Sequence, residues 1–309
     1  MAERLVIGTR GSLLALTQTR TVAQTLRDAH PHLDIAICTI QTTGDQTQAA
    51  NIPLSSFGEK GIFAKELEAA LLSGEIDLAV HSLKDMAHTL PPGLHIGAVP
   101  PREDARDCLV GCALGDLPPG AIVGTGSVRR RALLLSRRPD LECREIRGNI
   151  DTRLRKGRDG DYDAICLAVA GLNRLGLQDQ ITQVLDPDWF TPDPGQGALA
   201  LETRQDDTRV NALVATVNHA PSFLAIQAER AFLRALGGGC QTPLGAFGIV
   251  SGQHITLTGM VAAPDGSIVL RETLSQPSPN SALAGRMLAD TLRSAGADAL
   301  LGVDNSPAA

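Results

Sequence analysis

Aromatic residues and long apolar runs are scarce in this sequence. Phe, Trp and Tyr make up only 3% of the 309 residues, so we expect a core built from Leu, Val, Ile and Ala. No stretch approaches the roughly 18 consecutive apolar residues that a membrane-spanning helix needs. The first residues, MAERLVIGTRGSLLAL, are charged at Glu3, Arg4 and Arg10 and predict a strand and a helix rather than a signal peptide. We therefore expect a cytoplasmic protein without a membrane partner.

The cysteines lack the spacing of a metal site. The one close pair, Cys108 and Cys112, has no second pair or histidine at zinc-site spacing, so we predict no metal. We expect five of the thiols to be buried in a reducing compartment, namely Cys38, Cys108, Cys112, Cys143 and Cys166. Cys240 differs, because LGGGCQTPLG predicts a helix C-cap running into a loop with a thiol at its tip. A cysteine that packs beneath that loop is an equally supported alternative.

Positive charge is concentrated in one segment of an otherwise acidic chain. The net charge of -6 disfavours a nucleic-acid partner. Between Arg129 and Arg158, however, ten Arg and one Lys stand against four acidic residues. Composition alone supports two interpretations equally, a local anion site and a solvated basic helix face.

The order of predicted elements indicates an α/β fold. Strand-like and helix-like segments alternate through the first two thirds, which predicts parallel strands with crossover helices. Irregular stretches rich in Pro and Gly interrupt the series at residues 90–106 and 186–197. The last ninety residues predict a helix, a hairpin around Pro264-Asp265-Gly266, and a final helix. We therefore predict two hinged α/β lobes, residues 1–100 with 198–217 and residues 101–197, followed by an α+β domain of residues 218–309 that carries the Cys240 loop.

Two motifs follow predicted strands in the first lobe. In GTRGSLLAL, Ser12 begins a helix and Arg10 precedes it; the pair is either an N-cap beside an exposed Arg or a site for a carboxylate. In VHSLKDMAHTLPPG, a buried strand leads directly into Lys84 and Asp85. Polar groups at the carboxyl end of such a strand are placed for a ligand cleft, whereas the alternative is a surface turn capped by Asp85 with a weak ion pair.

Two further motifs lie in the basic segment. In VGTGSVRRRALLL, small residues end a strand, and Arg129 and Arg130 follow in the first turn of a helix. Cations there oppose the helix dipole, so we predict an anion between them; a P-loop is excluded because no Gly-Lys-Ser/Thr follows. In IRGNIDTRL, Arg147 ends a strand and Arg153 lies on the next helix, and guanidinium groups suit carboxylates.

These motifs together resemble the porphobilinogen deaminase family. The most specific elements are VHSLKDM, GTGSVRRR, IRGNIDTRL, LAVAGLNRLG, GQGA and LGGGCQTPLG, in the family's order from about Gly8 to Gly245. The resemblance implies a monomeric transferase of tetrapyrrole (heme, porphyrin) biosynthesis whose first two domains are like periplasmic-type binding lobes. It also implies a dipyrromethane cofactor joined by a thioether to Cys240. Four porphobilinogen molecules are then condensed head to tail with loss of ammonia, and hydroxymethylbilane is released by hydrolysis.

The resemblance also implies roles for individual residues. Asp85, assisted by Lys84, is the catalytic group, because a carboxylate stabilises the cation that forms when ammonia leaves. The cofactor is held by Lys84, Asp85, Thr125, Ser127, Arg129, Arg130 and Cys240. The substrate or growing chain is held by Arg10, Ser12, Lys60, Phe63, Arg147, Asn149, Arg153, Arg174 and Gln196, of which Lys60 and Phe63 match a loop that covers the cleft.

The sequence departs from the family pattern at three places. Met86-Ala87 stands where Val-Pro is usual, Gly126 where Ser or Thr is common, and Ser56 where Lys is often found. None of these departures removes a residue with an implied chemical role. They bear on affinity and rate rather than on the type of reaction.

Two other functions remain as alternatives. A non-catalytic two-lobe binding module for a polycarboxylate would need neither Asp85 nor a loop thiol. A hydrolase that uses Cys240 would need a histidine base. The histidines of the last hundred residues are His219 and His254, and neither lies in a motif.

Overall fold

The computed structural model describes residues 3–44, 64–237 and 242–301. Its strands, numbered in chain order, are β1 (Glu3–Thr9), β2 (Leu33–Thr39), β3 (Leu78–Ser82), β4 (Leu94–Ala98), β5 (Asp107–Val110), β6 (Ile122–Gly124), β7 (Glu142–Arg144), β8 (Ala164–Ala168), β9 (Gln183–Val184), β10 (Leu199–Arg204), β11 (Leu244–Ser251), β12 (His254–Ala262) and β13 (Val269–Pro277).

Some of the α-helices begin at polar residues whose side chains cap the helix N-terminus. Ser12 caps the first helix with a 3.2 Å bond from the Ala15 amide, and Asp207 caps another with a 3.0 Å bond from the Val210 amide. The helices are α1 (Leu13–Ala29), α2 (Lys65–Ser73), α3 (Val128–Arg137), α4 (Ile150–Arg158), α5 (Val169–Arg174), α6 (Thr208–Ala215), α7 (Ala220–Leu236), α8 (Ser281–Ser294) and α9 (Ala297–Leu301). Within the described ranges, no helix combines the length and the apolar character needed to cross a bilayer.

The chain divides into two compact units, and each has its own sheets. The first unit comprises Met1–Asp104 and Gly197–Phe223. Its five-stranded sheet has the order β2-β1-β3-β10-β4. The core of this unit packs α1 and α6 against one set of strand residues and α2 against another. The predicted α/β class is confirmed here.

The second unit comprises Ala105–Gln196 and Leu224–Ala309. It contains a five-stranded sheet of order β7-β6-β8-β5-β9 and a three-stranded antiparallel sheet of order β11-β12-β13. The predicted C-terminal hairpin is therefore confirmed as β12 and β13, which pair in register from His254 with Pro277 to Ala262 with Val269. The division of the chain into three domains stays a prediction.

The predicted parallel strands are present in both α/β sheets, but each sheet also contains one reversed strand. In the first sheet β1, β2 and β3 are parallel, but β10 runs antiparallel to both β3 and β4. In the second, β6, β7 and β8 are parallel, but β5 runs antiparallel to β8 and β9. Each sheet thus repeats one pattern, three parallel strands followed by a reversed strand. The reversed strands join segments distant in sequence, so local alternation did not predict their direction.

The core has the predicted aliphatic composition. Among the largest fully buried side chains, Phe190 and Phe232 are the aromatic ones, and the others are Leu, Ile and Met. The C-terminal sheet also shares a core with the second α/β sheet, because Met260 and Ala262 of β12 pack with Leu133 of α3 and its neighbours. Removing that sheet would expose apolar surface of the α/β part.

The hairpin turn between β12 and β13 lies directly on α3. Gly266 has a φ of 75°, and a Cβ placed there would lie 2.4 Å from the Ala132 carbonyl oxygen and 2.6 Å from the Ser136 amide nitrogen. Only glycine allows both this backbone conformation and this close approach. The predicted Pro-Asp-Gly turn is therefore also a contact with the helix that begins with Arg129 and Arg130.

Candidate functional site

The segment after β3 separates buried from accessible side chains within one turn. Leu83–Asp85 forms a single turn of 3-10 helix, and the Leu83 amide donates to the Ala198 carbonyl at 3.1 Å. Leu83 and Met86 are each 2% exposed, whereas Lys84 and Asp85 are half-buried. The two apolar side chains thus anchor the turn in the core and leave Lys84 and Asp85 at its accessible side.

The structure does not support the alternative in which Asp85 is a capping residue. The turn has no side-chain cap at its beginning, and its end is closed by the Met86 amide donating to the Leu83 carbonyl. Among the described residues, none donates a hydrogen bond to the Asp85 carboxylate. A half-buried carboxylate without such a structural bond remains available to a ligand.

The other motif of the first unit lies on the neighbouring strand. Arg10 and Ser12 follow β1, and both are half-buried. Since β1 and β3 are adjacent and parallel, their carboxyl ends meet at the same edge of the sheet. Gln18 of α1 also hydrogen-bonds the Ser82 hydroxyl at 3.0 Å. The structure therefore brings together the two motifs of the first unit, and Ser12 serves as the predicted N-cap.

A buried ionisable cluster lies behind these motifs. Its members are Glu68 on α2, His81 on β3 and Glu202 on β10, with 7%, 6% and 0% exposure. His81 Nε2 lies 2.9 Å from Glu202 Oε2, but the two groups are not aligned for a hydrogen bond. Both Glu202 oxygens and Glu68 Oε1 lack a hydrogen-bond partner among the described residues. Burial, followed by the charge of Glu202, raises the pKa of Glu68 above its usual value of 4.5.

In the second unit, α3 begins as its sequence predicts. The buried Thr125 accepts a 3.2 Å bond from the Ser127 amide, and the Ser127 hydroxyl accepts one from the Arg130 amide at 3.4 Å. Ser127 is thus an N-cap, and the next turn presents Arg129 and Arg130. Strands β6, β7 and β8 are parallel, so this turn and the segment after β7 leave the same sheet edge.

Arg129 and Arg130 both bind an internal carboxylate that sequence analysis missed. Asp107, the fully buried first residue of β5, lies 2.8 Å from Arg129 Nη1 and 2.7 Å from Arg130 Nη2. Arg130 Nε donates to the same carboxylate at 2.9 Å. Gln196 adds a bond from Nε2 to Asp107 Oδ1 at 2.9 Å and another to the Ala105 carbonyl at 2.7 Å.

The two guanidinium groups differ in how many of their nitrogens have hydrogen-bond partners within the protein. All three nitrogens of Arg130 are used, since Nη1 donates to the Cys166 carbonyl at 2.9 Å and Nη2 reaches Gln196 Oε1 at 3.5 Å. Arg129 Nη1 donates to both Asp107 and the Thr191 carbonyl, each at 2.8 Å. Its Nε, however, is buried without a hydrogen-bond partner among the described residues.

The Asp107 carboxylate is ionised throughout the physiological range. Burial alone would raise its pKa, but the charges of Arg129 and Arg130 and the hydrogen bonds from Arg129 and Gln196 outweigh burial. They lower the pKa of Asp107 from 3.8 to about 2. An internal carboxylate thus lies between the two arginines, and the three groups together carry one net positive charge; the binding of an anionic ligand there stays a prediction.

The rest of the basic segment divides between surface pairs and half-buried arginines. Arg138 pairs with Asp140 at 2.6 Å and Arg144 with Glu142 at 2.6 Å on the surface, as the solvated-face interpretation predicts. The half-buried arginines from the motifs are Arg147 and Arg153 in this segment and Arg174 farther along the chain.

The predicted substrate residues of the second unit differ in the contacts that they make within the protein. Arg147 pairs with Glu145, and Arg153 Nε donates to the Gly148 carbonyl at 2.7 Å. Asn149 is exposed and precedes α4 without a side-chain cap bond. Arg174 lies in the last turn of α5. The structure thus places these side chains near the ends of β7 and β8.

Three predicted site residues, Cys240, Lys60 and Phe63, lie outside the described residues, as does Ser56. Gly237 ends α7 with a φ of 68°, which confirms the helix C-cap before the cysteine loop. Among the other cysteines, Cys108 and Cys166 are buried and Cys38, Cys112 and Cys143 are half-buried, and all five are free thiols. Burial raises the pKa of the Cys143 thiol to about 11 and also raises that of Cys166.

Comparison with known families covers nearly the whole chain. The family model described as "Porphobilinogen deaminase, dipyromethane cofactor binding domain" matches residues 5–212. The model of the porphobilinogen deaminase C-terminal domain matches residues 223–294. The chain belongs to the porphobilinogen deaminase family. Its predicted fold class is in keeping with these two domains.

Relatives named porphobilinogen deaminase align along their full length. The one from Syntrophotalea carbinolica is 48% identical over 97% of this chain and 96% of the relative. The one from Bacillus subtilis is 45% identical over the same shares of both chains. Among solved structures, the methionine binding protein MetQ covers 69% of this chain and 89% of its own at 13% identity, with a TM-score of only 0.45.

Two departures from the family pattern acquire a structural meaning. Met86 is part of the buried core, so replacing the usual Val there changes the packing beneath the Lys84–Asp85 turn. A Cβ at Gly126 would lie 3.3 Å from the Ile146 carbonyl oxygen, which is close for a side chain at this position. The glycine therefore relieves a tight contact beside the start of α3.

Proposed function

We propose that this chain is a porphobilinogen deaminase, a transferase that condenses four porphobilinogen molecules head to tail and releases hydroxymethylbilane. The observation that supports this most is the match of both family domains to one chain that retains Asp85, the arginine motifs and Cys240. A polycarboxylate-binding module would explain the arginines but not the retained loop thiol. A cysteine hydrolase is not supported, because His219 and His254 are exposed and His219 hydrogen-bonds Ser222.

The residues present suit a dipyrromethane cofactor. Its acetate and propionate side chains need fixed cations. The second unit offers two guanidinium groups against the one carboxylate of Asp107, and Arg129 Nε is buried without a hydrogen-bond partner among the described residues. We propose that Cys240 holds the cofactor through a thioether and that Lys84, Asp85, Thr125, Ser127, Arg129 and Arg130 bind it. When bound, this group supplies the free pyrrole position at which the chain is extended.

The catalytic residue in this proposal is Asp85. Positive charge develops on the substrate as ammonia leaves, and an ionised carboxylate stabilises that charge. The amine leaves as ammonia from its protonated form, and the same carboxylate accepts the proton that the attacking pyrrole carbon releases once the new bond has formed. The anchored turn between Leu83 and Met86 fixes the position from which Asp85 acts.

Substrate binding requires further cations, because every added pyrrole brings two carboxylates. We assign this role to Arg10, Ser12, Lys60, Phe63, Arg147, Asn149, Arg153, Arg174 and Gln196. Arginine suits it, since its planar group binds a carboxylate through two hydrogen bonds. Losing such a pair in a desolvated site typically costs about 2–5 kcal/mol, so Arg147→Leu and Arg153→Leu should keep the cofactor but stall with partly extended chains.

Intact-mass measurement tests the proposal directly. The purified protein should exceed its sequence mass by one dipyrromethane and release ammonia from porphobilinogen. Cys240→Ala should have the sequence mass and almost no activity. The matched control Cys38→Ala should keep the additional mass of the cofactor and the activity. Normal turnover by Cys240→Ala, or a modification on another cysteine, would contradict the assignment.

We further propose that the protein acts as a cytoplasmic monomer without nucleic acid or a membrane as a partner. Light scattering coupled to size-exclusion chromatography should give the mass of one chain. A concentration-independent dimer would contradict the monomer assignment.

A further inference from the structure

The Asp107 carboxylate is the common anchor of the two arginines that open α3. It is fully buried at the start of β5, and Arg129, Arg130 and Gln196 all bind it at 2.7–2.9 Å. The two arginines are also buried, with 3% and 6% exposure. Long charged side chains in such a setting would otherwise lose hydration without compensation.

The arrangement both orients and partly neutralises the pair. One carboxylate faces two guanidinium groups, so a net positive charge remains beside the N-terminus of α3, where the helix dipole also favours an anion. Arg130 has every nitrogen engaged within the protein, while Arg129 Nε is buried and has no hydrogen-bond partner in residues 3–44, 64–237 or 242–301. Without Asp107, neither guanidinium would have an anionic partner among the residues that the structure describes.

We propose that Asp107 is a positioning residue for cofactor binding, one that acts through Arg129 and Arg130 and does not touch the cofactor. This inference rests on the proposed function, because it assigns the arginines to the carboxylates of dipyrromethane. Asp107 holds both guanidinium groups in place before the cofactor arrives, so the site does not have to reorganise when it loads. Its negative charge also reduces the combined charge of the two arginines from two positive charges to one.

The competing interpretation is that Asp107 only stabilises the fold. Both interpretations predict a lower melting temperature for Asp107→Asn, so stability alone does not separate them. They differ in loading, because a purely structural residue leaves the folded protein with normal affinity for porphobilinogen. The decisive quantity is therefore the porphobilinogen concentration at which half of the folded apo-protein has acquired the cofactor.

That concentration is measured by intact mass on apo-protein from cells unable to make porphobilinogen. Asp107→Asn should raise it about tenfold or more, the range found when an outer partner of a binding group is removed. Asp107→Glu keeps the charge but moves it, so it should raise the value by a smaller factor of about three. Circular dichroism at the loading temperature ensures that only folded protein is compared.

Two control variants separate loading from stability. Leu141→Ala removes a buried side chain from the core of the same unit and should lower the melting temperature without changing the half-loading concentration. Asp140→Asn makes the same chemical change as Asp107→Asn, but at the exposed pair with Arg138. It should leave both quantities unchanged.

Every outcome decides the question. Wild-type protein that gains no mass would refute the proposed function itself. If the wild type loads and folded Asp107→Asn loads at the same concentration, Asp107 is only structural and the proposed function stands. If Asp107→Asn does not fold, Asp107→Glu decides: wild-type loading by that variant overturns the positioning role.

Discussion

The two units each bury a cluster of charged side chains, but they treat that charge in opposite ways. In the second unit, Asp107 is surrounded by two guanidinium groups and an amide, all within 2.9 Å. In the first, Glu68 and Glu202 share His81 and retain carboxylate oxygens without hydrogen bonds from any described residue. A buried charge with its hydrogen bonds satisfied fixes a structure, whereas one whose carboxylate oxygens lack hydrogen bonds stores unfavourable energy.

The difference gives the two carboxylates opposite dependence on pH. Asp107 has a lowered pKa of about 2, so its contribution to stability is present above 3.8 and is lost as pH falls toward 2. Glu68 has a raised pKa, so its contribution is present below 4.5 and is lost as pH rises through the folded-state value. Lowering the pH therefore removes the stabilising charge of Asp107 in the second unit and the unfavourable charge of Glu68 in the first.

The largest effect is expected at a carboxylate that belongs to neither cluster. Asp85 makes no structural hydrogen bond with the described residues, so Asp85→Asn should leave the melting temperature unchanged while turnover falls by at least about 100-fold. Asp85→Glu should also be slow, yet measurably faster, because it keeps the charge. Steady-state rates and melting curves test this. An Asp85→Asn enzyme near wild-type rate would refute the catalytic role.

Breaking the paired cluster should affect stability most. Asp107→Asn leaves two buried guanidinium groups without their anion, and removing one partner of a buried pair typically costs about 3–5 kcal/mol. Urea unfolding at pH 7 measures the loss. The same experiment at lower pH should show the gap narrowing from about pH 3.8 toward pH 2, since the wild type then loses the same charge. A gap that is constant with pH would mean that the charge is not responsible.

Removing a charge from the Glu68–His81–Glu202 cluster should change the free energy of unfolding in the opposite direction. Glu68→Gln imitates the protonated side chain, so it should stabilise the protein at pH 7 by about 0.5–2 kcal/mol, the usual size of a stabilising change. Below pH 4.5 the variant and the wild type should converge. The exposed Glu75→Gln on the loop after α2 is the matched control and should change little. Destabilisation by Glu68→Gln at pH 7 would show that the ionised form is paired after all.

The smallest effect is expected where the same chemistry lies on the surface. Asp140 and Arg138 form a well-aligned exposed pair with bonds of 2.8 and 2.6 Å, but water screens such pairs. Asp140→Asn should therefore leave the melting temperature within measurement error. A loss comparable to that of Asp107→Asn would mean that burial is not what distinguishes the two pairs.

Local pattern predicted those parts of the site that depend on neighbours in sequence. Ser12 and Ser127 are N-caps, and the Lys84–Asp85 turn follows a buried strand, because capping and alternation act over a few residues. The family resemblance is likewise confirmed. Asp107 was missed because it lies 22 residues before Arg129 and opens a four-residue strand that contains a charge. The available signal was an acidic residue at the start of a short apolar run, with a pair of consecutive arginines in the helix that follows the next strand.

The reversed strands show the same limit. β10 carries Glu202 directly after the apolar run Leu199–Leu201, and its partners β3 and β4 lie about a hundred residues earlier. Neither its pairing nor its direction follows from local periodicity. The clusters compared above both depend on such pairings, since β10 brings Glu202 beside His81 and β5 brings Asp107 beside α3.

The position of β10 also has a consequence for synthesis on the ribosome. It lies between β3 and β4 in the first sheet, yet it leaves the ribosome only after all of Ala105–Gln196 has done so. Until then, β3 and β4 have no strand between them and present unpaired edges, which are prone to association with other chains. The nascent chain thus completes the α/β sheet of its second unit before it can close the sheet of its first.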